Sequence, residues 1–214
     1  RLLIWIAWIG IATLAIWLRL HDLEERPIHA DEATGARILS TRLTDNSYAF
    51  NPHHFHGPLL SLSSVPLAEL RGESQWPELT KLTLRLGPAL AGILLVFTPL
   101  LWARRLGTTT ALATAALLAS SPLLVYYNRM YIHESLLTLF TMLGFAAAFR
   151  MVEKPTLHNG ALTGLCVGLM FATKETFIIS LLAWHAASGI YLLNRIYGWN
   201  QQRTNPTFNS YIKP

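Results

Sequence analysis

Apolar runs of membrane-spanning length constrain this chain more than any other feature. Six segments, 2–18, 86–103, 108–127, 132–149, 157–173 and 177–193, each run for about 15 to 20 residues with few charges, close to the length a helix needs to cross a hydrocarbon core. A spanning segment must satisfy its own backbone groups, and none of the six alternates as a strand does, so all six are expected to be helices. Composition agrees: 52% of residues are hydrophobic and only 14% are charged, with a mean hydropathy of +0.34. The expected fold class is an all-α integral membrane protein with about six transmembrane helices and interfacial helices in a long first external loop. No small-residue cleavage site follows segment 2–18, so it is read as a retained anchor rather than a removed signal peptide.

Charge then sets the orientation. A net charge of +5 and a pI near 9.6 would point to nucleic acid in a soluble chain. Here the Lys and Arg residues sit at the ends of apolar runs and mark topology, so no nucleic-acid partner is expected. Arg104, Arg105, Arg150, Lys154 and Arg195 fall on one side if six helices alternate, and that side is expected to be cytoplasmic. The external side receives the loop from about 21 to 81 and two tight turns, "YYNRMYIHES" and "TKET". The resulting division is a transmembrane domain over 1–198 and a polar tail over 199–214. In the loop, "DEATGARILSTRL" places Ile38, Leu39 and Leu43 on one helical side, as expected for a helix lying in the interface. The stretch broken by Pro58 and Pro66 reads as a second interfacial or re-entrant helix. Cys166 has no partner for an internal disulfide and is expected to be a core residue.

The uncommon polar residues collect on the external side. Asp31 and Glu32 open a helix, where Asp31 would N-cap it and Glu32 would complement its dipole. The same carboxylates suit a general base next to the headgroup layer. Arg129, His133 and Glu134 lie between two spans. Arg129 serves either as a snorkelling anchor or as a phosphate ligand, through paired charge-assisted hydrogen bonds. Lys174, in a turn too short to leave the membrane boundary, serves either as a loop cation or as a point charge for a lipid-linked phosphate. His53, His54 and His56 lack a recognised zinc spacing, and hydrogen bonding to an acidic partner such as Asp31, or to substrate, is preferred. His185, inside the last span, reads as an interhelical polar residue.

An initial span, an external Asp-Glu pair, "HGPLL", "LRLGPALAGILLVFTPLLWARRLG", "SSPLLVYYNRMYIHESLLTLF" and "GLMFATKETF", in that order, resemble the front half of the GT-C membrane glycosyltransferases, nearest to the protein O-mannosyltransferase and lipid A aminoarabinose transferase branches. The resemblance implies transfer of a sugar from a polyprenyl-phosphate donor to a protein or lipid acceptor at the extracytoplasmic face, in the cell inner membrane if the source is bacterial. It implies Asp31 as the base with Glu32 beside it, Arg129 and Lys174 at the donor phosphate, and Glu134 where relatives usually carry Asp. Arg85 matches a regular family position, and His56, His133 and Glu175 are further site candidates. No cofactor follows with certainty, though a divalent metal is compatible with the chemistry. Members of that type are usually longer, so the chain is expected to represent an N-terminal half. A transporter or flippase of lipid-linked substrates, or a non-catalytic assembly subunit, would use similar charges, but transporters place them near the midplane.

Overall fold

The computed structural model describes residues 1–45, 47 and 56–204, with side chains described up to Asn194 and at Tyr197. Its elements are α1 (Leu2–Leu20), α2 (Ala30–Asp45), α3 (Leu59–Arg71), α4 (Lys81–Phe97), a 3-10 turn (Thr98–Trp102), α5 (Ala103–Leu106), α6 (Thr108–Ser120), α7 (Pro122–Asn128), α8 (Glu134–Glu153), α9 (Leu157–Thr173) and α10 (Phe177–Thr204). No strand occurs among the described residues. The chain divides into two units, Arg1–Phe177 and Ile178–Pro214. His53, His54 and most of the tail lie outside the described residues.

The all-helical expectation holds, with a smaller number of unbroken spans. Among the described residues, four helical stretches are long and apolar enough to cross a membrane: Leu2–Leu20, Lys81–Leu106, Glu134–Glu153 and Phe177–Asn194. The segment expected as one helix over 108–127 is instead α6 and α7, bent by 59°. The cause is Pro122, which has no N–H to donate and whose ring clashes with the preceding turn. Ser121 restarts the helix by accepting a hydrogen bond from Leu124 N–H. Segment 157–173 is helical and apolar but only 17 residues long. In the second unit, His185 Nδ1 lies 2.7 Å from Leu181 O, so this imidazole, read from sequence as an interhelical polar residue, has a partner within its own helix.

The two helices of the long loop between the first two apolar runs pack into the protein. Ala36 and Leu39 of α2 and Leu60 and Ala68 of α3 join Leu79, Leu84, Ala91 and Leu95, Tyr131, and Leu136 and Leu139 of α8 in one buried cluster. Along α2 the buried stripe is Glu32, Ala36 and Leu39, with Leu43 packed against it. Its apolar side therefore serves the protein core, where the sequence alone pointed to a lipid interface. α3 continues through Pro66, and Pro58 sits at its N-cap.

Beneath this layer, α6 turns Ala111, Ala115 and Ala119 inward at four-residue spacing, and Ala115 and Ala119 cluster with Ala15 of α1 and Val96 of α4. Small side chains let helix backbones approach closely, the usual means of tight packing in lipid. A polar network crosses the same region. The fully buried Arg19 guanidinium donates to Asn128 Oδ1 at 2.9 Å, Leu118 O at 3.0 Å and Ala119 O at 3.1 Å. Asn128 donates in turn to Ser135 Oγ at 2.9 Å. Arg19 thus takes up carbonyls at the end of α6, beside the break that Pro122 imposes.

Candidate functional site

The site begins at the first turn of α2. His29 stands just before the helix, and Glu32 Oε2 accepts its backbone N–H at 3.0 Å, while His29 Nδ1 accepts Asp31 N–H at 3.3 Å. This is the reciprocal logic of a capping box, with an imidazole in place of the usual hydroxyl. The capping therefore belongs to His29 and Glu32. The N-cap role expected of Asp31 is corrected: Asp31 lies inside the helix, and its carboxylate is 75% exposed.

Glu32 points the other way. It is fully buried and receives both Arg85 Nε at 2.8 Å and Arg85 Nη2 at 2.9 Å, plus Tyr131 N–H at 2.8 Å. Arg85 also donates to Leu23 O at 2.8 Å and to Arg26 O and Pro27 O, each at 3.1 Å. Burial alone would raise the Glu32 carboxyl. The Arg85 fork and the two backbone N–H groups outweigh it and hold the group below the ordinary 4.5. The pair ties the 23–32 segment to α4 and to the turn before α8. Arg85 is placed for this because Thr80 caps α4 by accepting Thr83 N–H, so the helix starts at Lys81, five residues earlier than the apolar run.

The second wall comes from the "HGP" stretch. Gly57 N–H donates to Thr173 O at 3.2 Å, and a Cβ at Gly57 would sit 2.1 Å from Ala172 O. Only glycine allows that approach, which seats His56 beside the α9 end. His56 Nδ1 lies 2.9 Å from Glu175 Oε2, and its ring meets His133 edge-on with centroids 4.8 Å apart. His56 thus has an acidic partner, as expected, and it is Glu175, with Asp31 having been the example offered by the sequence. Burial, reinforced by His56, pushes the His133 imidazole down to about 4, so it is neutral near pH 7. At the start of α8, Glu134 accepts Lys174 Nζ at 2.6 Å.

These groups share one cavity of about 540 Å³, lined by His29, Asp31, His56, His133, Glu134 and Lys174, with Tyr126, Tyr127 and Ile38 among its less polar walls. Asp31, His56, Glu134 and Lys174 come from α2, the stretch before α3, α8 and the α9–α10 turn, so tertiary folding brings them together. Glu32 and Arg85 support the cavity from behind without lining it. Arg129 lies elsewhere: it donates to Leu18 O at 2.9 Å and Asp22 O at 2.8 Å, closing the end of α1, and borders a shallower cavity with His21, Asp22, Glu25 and Arg26. Arg129 and Lys174, both read from sequence as phosphate ligands, therefore border different cavities. Among the described residues, no three His, Cys, Asp or Glu side chains are grouped to hold a metal ion.

His29 and the Tyr126–Tyr127 pair were not singled out from sequence. His29 stands two residues before Asp31, and an imidazole at that spacing from a helix-opening carboxylate was the available signal. Arg19 was also passed over, although a charge inside an apolar span is a functional or structural flag by default.

Residues 66–204 match the family described as Dolichyl-phosphate-mannose-protein mannosyltransferase. The chain belongs to that family. Comparison with curated proteins gives no match. The mannosyltransferase family match includes Arg85, Arg129, His133, Glu134, Lys174 and Glu175, but begins after Asp31, Glu32 and His56. The family and the several apolar helices together make this a multi-pass membrane protein of mannosyltransferase-like kind.

Proposed function

We propose that this chain carries the donor end of a GT-C-type glycosyltransferase, which moves a sugar from a polyprenyl-phosphate carrier to a protein or lipid acceptor at the extracytoplasmic face. The observation that carries the reading is the convergence of an exposed carboxylate, Asp31, and a fixed cation, Lys174, on one cavity in a member of the mannosyltransferase family. Asp31 accepts the proton of the acceptor group as that group attacks the anomeric carbon. The bond from that carbon to the phosphate oxygen breaks, and the electron pair leaves on the polyprenyl phosphate. Lys174 Nζ, held by Glu134, stabilises the charge that develops there. His56 and the neutral His133 offer hydrogen bonds to sugar hydroxyls, and Tyr126 and Tyr127 give the ring an apolar wall. Glu32 and Arg85 are positioning residues. They keep α2, and so Asp31, in register with α8.

The test is transfer of labelled sugar from polyprenyl-phosphate donors in proteoliposomes, using the full natural length of the protein. Transfer to an added or endogenous acceptor is expected. A correctly inserted protein that neither binds nor consumes any such donor would overturn the reading.

A further inference from the structure

At the opposite ends of α4 and α8 lies a second cavity, of about 660 Å³, that the proposed chemistry does not use. Arg104, Arg105, Arg150 and Lys154 ring it, against a single carboxylate, Glu153, which pairs with Arg105. Arg105 also lies over the Phe149 ring, 4.7 Å from its centroid, so its charge is fixed in place. Arg104, Arg150 and Lys154 have no carboxylate partner among the described residues. The carbonyls at the end of α8, which would repel an anion, are partly taken up by Asn159 Nδ2, 2.8 Å from Lys154 O and 3.5 Å from Arg150 O. Below the cations the lining turns apolar, with Leu100, Leu101, Trp102 and Phe149 on the flank of the spans. Charge at the rim and apolar surface beneath it match a molecule with a phosphate at one end and a hydrocarbon chain at the other.

We propose that this cavity is a headgroup site for an anionic phospholipid, with the phosphate held by Arg104, Arg150 and Lys154 and an acyl chain lying along Leu101 and Trp102. Basic pockets between spans are the general form of such sites, each cation near the surface adding a measurable share of the affinity. The site is independent of the sugar-transfer reading and stands whether or not that reading does.

The test uses the full chain in phosphatidylcholine nanodiscs, titrated with labelled phosphatidylglycerol, with labelled phosphatidylcholine as the reference lipid. Phosphatidylglycerol is expected to bind with clear preference. Arg104→Gln and Arg150→Gln should each weaken it by about five-fold, while Arg104→Lys and Arg150→Lys keep most of the affinity. No preference for phosphatidylglycerol over phosphatidylcholine in the wild type, which requires no variant to fold, would overturn the proposal. So would unchanged affinity in both Gln variants. Inorganic phosphate or glycerol phosphate binding as tightly as the lipid would assign the site to a soluble anion and overturn the lipid reading.

Discussion

Adjacent carboxylates face opposite environments at Asp31 and Glu32, and the difference decides what each can do. Glu32 is fully buried against a bidentate arginine, whereas Asp31 opens onto the cavity. Removing one member of a buried ion pair strands the other charge, so Glu32→Gln should lower stability by about 3–5 kcal/mol. Thermal unfolding in detergent measures it. The folded carboxyl of Glu32 lies below its ordinary 4.5, so its contribution is complete above about pH 4.5 and is lost as pH falls through the folded value. The wild type should therefore lose stability on acidification below about pH 4.5, and Glu32→Gln should flatten that dependence. A variant with the same acid limb as the wild type would place the titration elsewhere. The two roles were not separable in the sequence, because Glu32 and Arg85 stand 53 positions apart and only the fold pairs them.

At the scale of elements, the broken helix and the residues that repair it act together. Pro122 frees carbonyls at the end of α6, Arg19 of α1 takes them, and Asn128 links Arg19 to Ser135 of α8. Gly92 of α4 makes room for this arrangement, since a Cβ there would sit 2.2 Å from Asn128 Cγ. Gly92→Ala should thus cost about 1–3 kcal/mol by overpacking, read as a lower unfolding temperature in detergent. Gly164→Ala, where a Cβ meets nothing within 4 Å, should leave the temperature unchanged or raise it slightly, since Ala favours the helix interior. Apolar length made the helices themselves legible in the sequence. The break at Pro122 was written there too, but a continuous apolar run conceals a bend that only backbone geometry expresses. The burial of α2 was half legible: residues 32, 36, 39 and 43 form one helical stripe, and the charge on Glu32 masked its membership. What covers that stripe, protein or lipid, is not a property of the helix alone.

Across the first unit, the polar features separate to two ends of the bundle, a mixed-charge cavity around Asp31 and Lys174 and a basic cavity around Arg104 and Arg150. The sequence placed these groups on opposite sides because alternating spans dictate it. It also put Arg129 with Lys174: both belong to the same end, where Arg129 donates to the carbonyls at the end of α1 and borders a neighbouring cavity. Within the Asp-Glu pair we propose a division of labour, chemistry at Asp31 and architecture at Glu32. It is tested most directly by the rate of labelled-sugar transfer per folded molecule for Asp31→Asn in proteoliposomes, with unfolding temperature recorded on the same preparation. Loss of the base should lower the rate by about a hundred-fold or more with the unfolding temperature unchanged. Wild-type transfer by a folded Asp31→Asn protein would contradict the account.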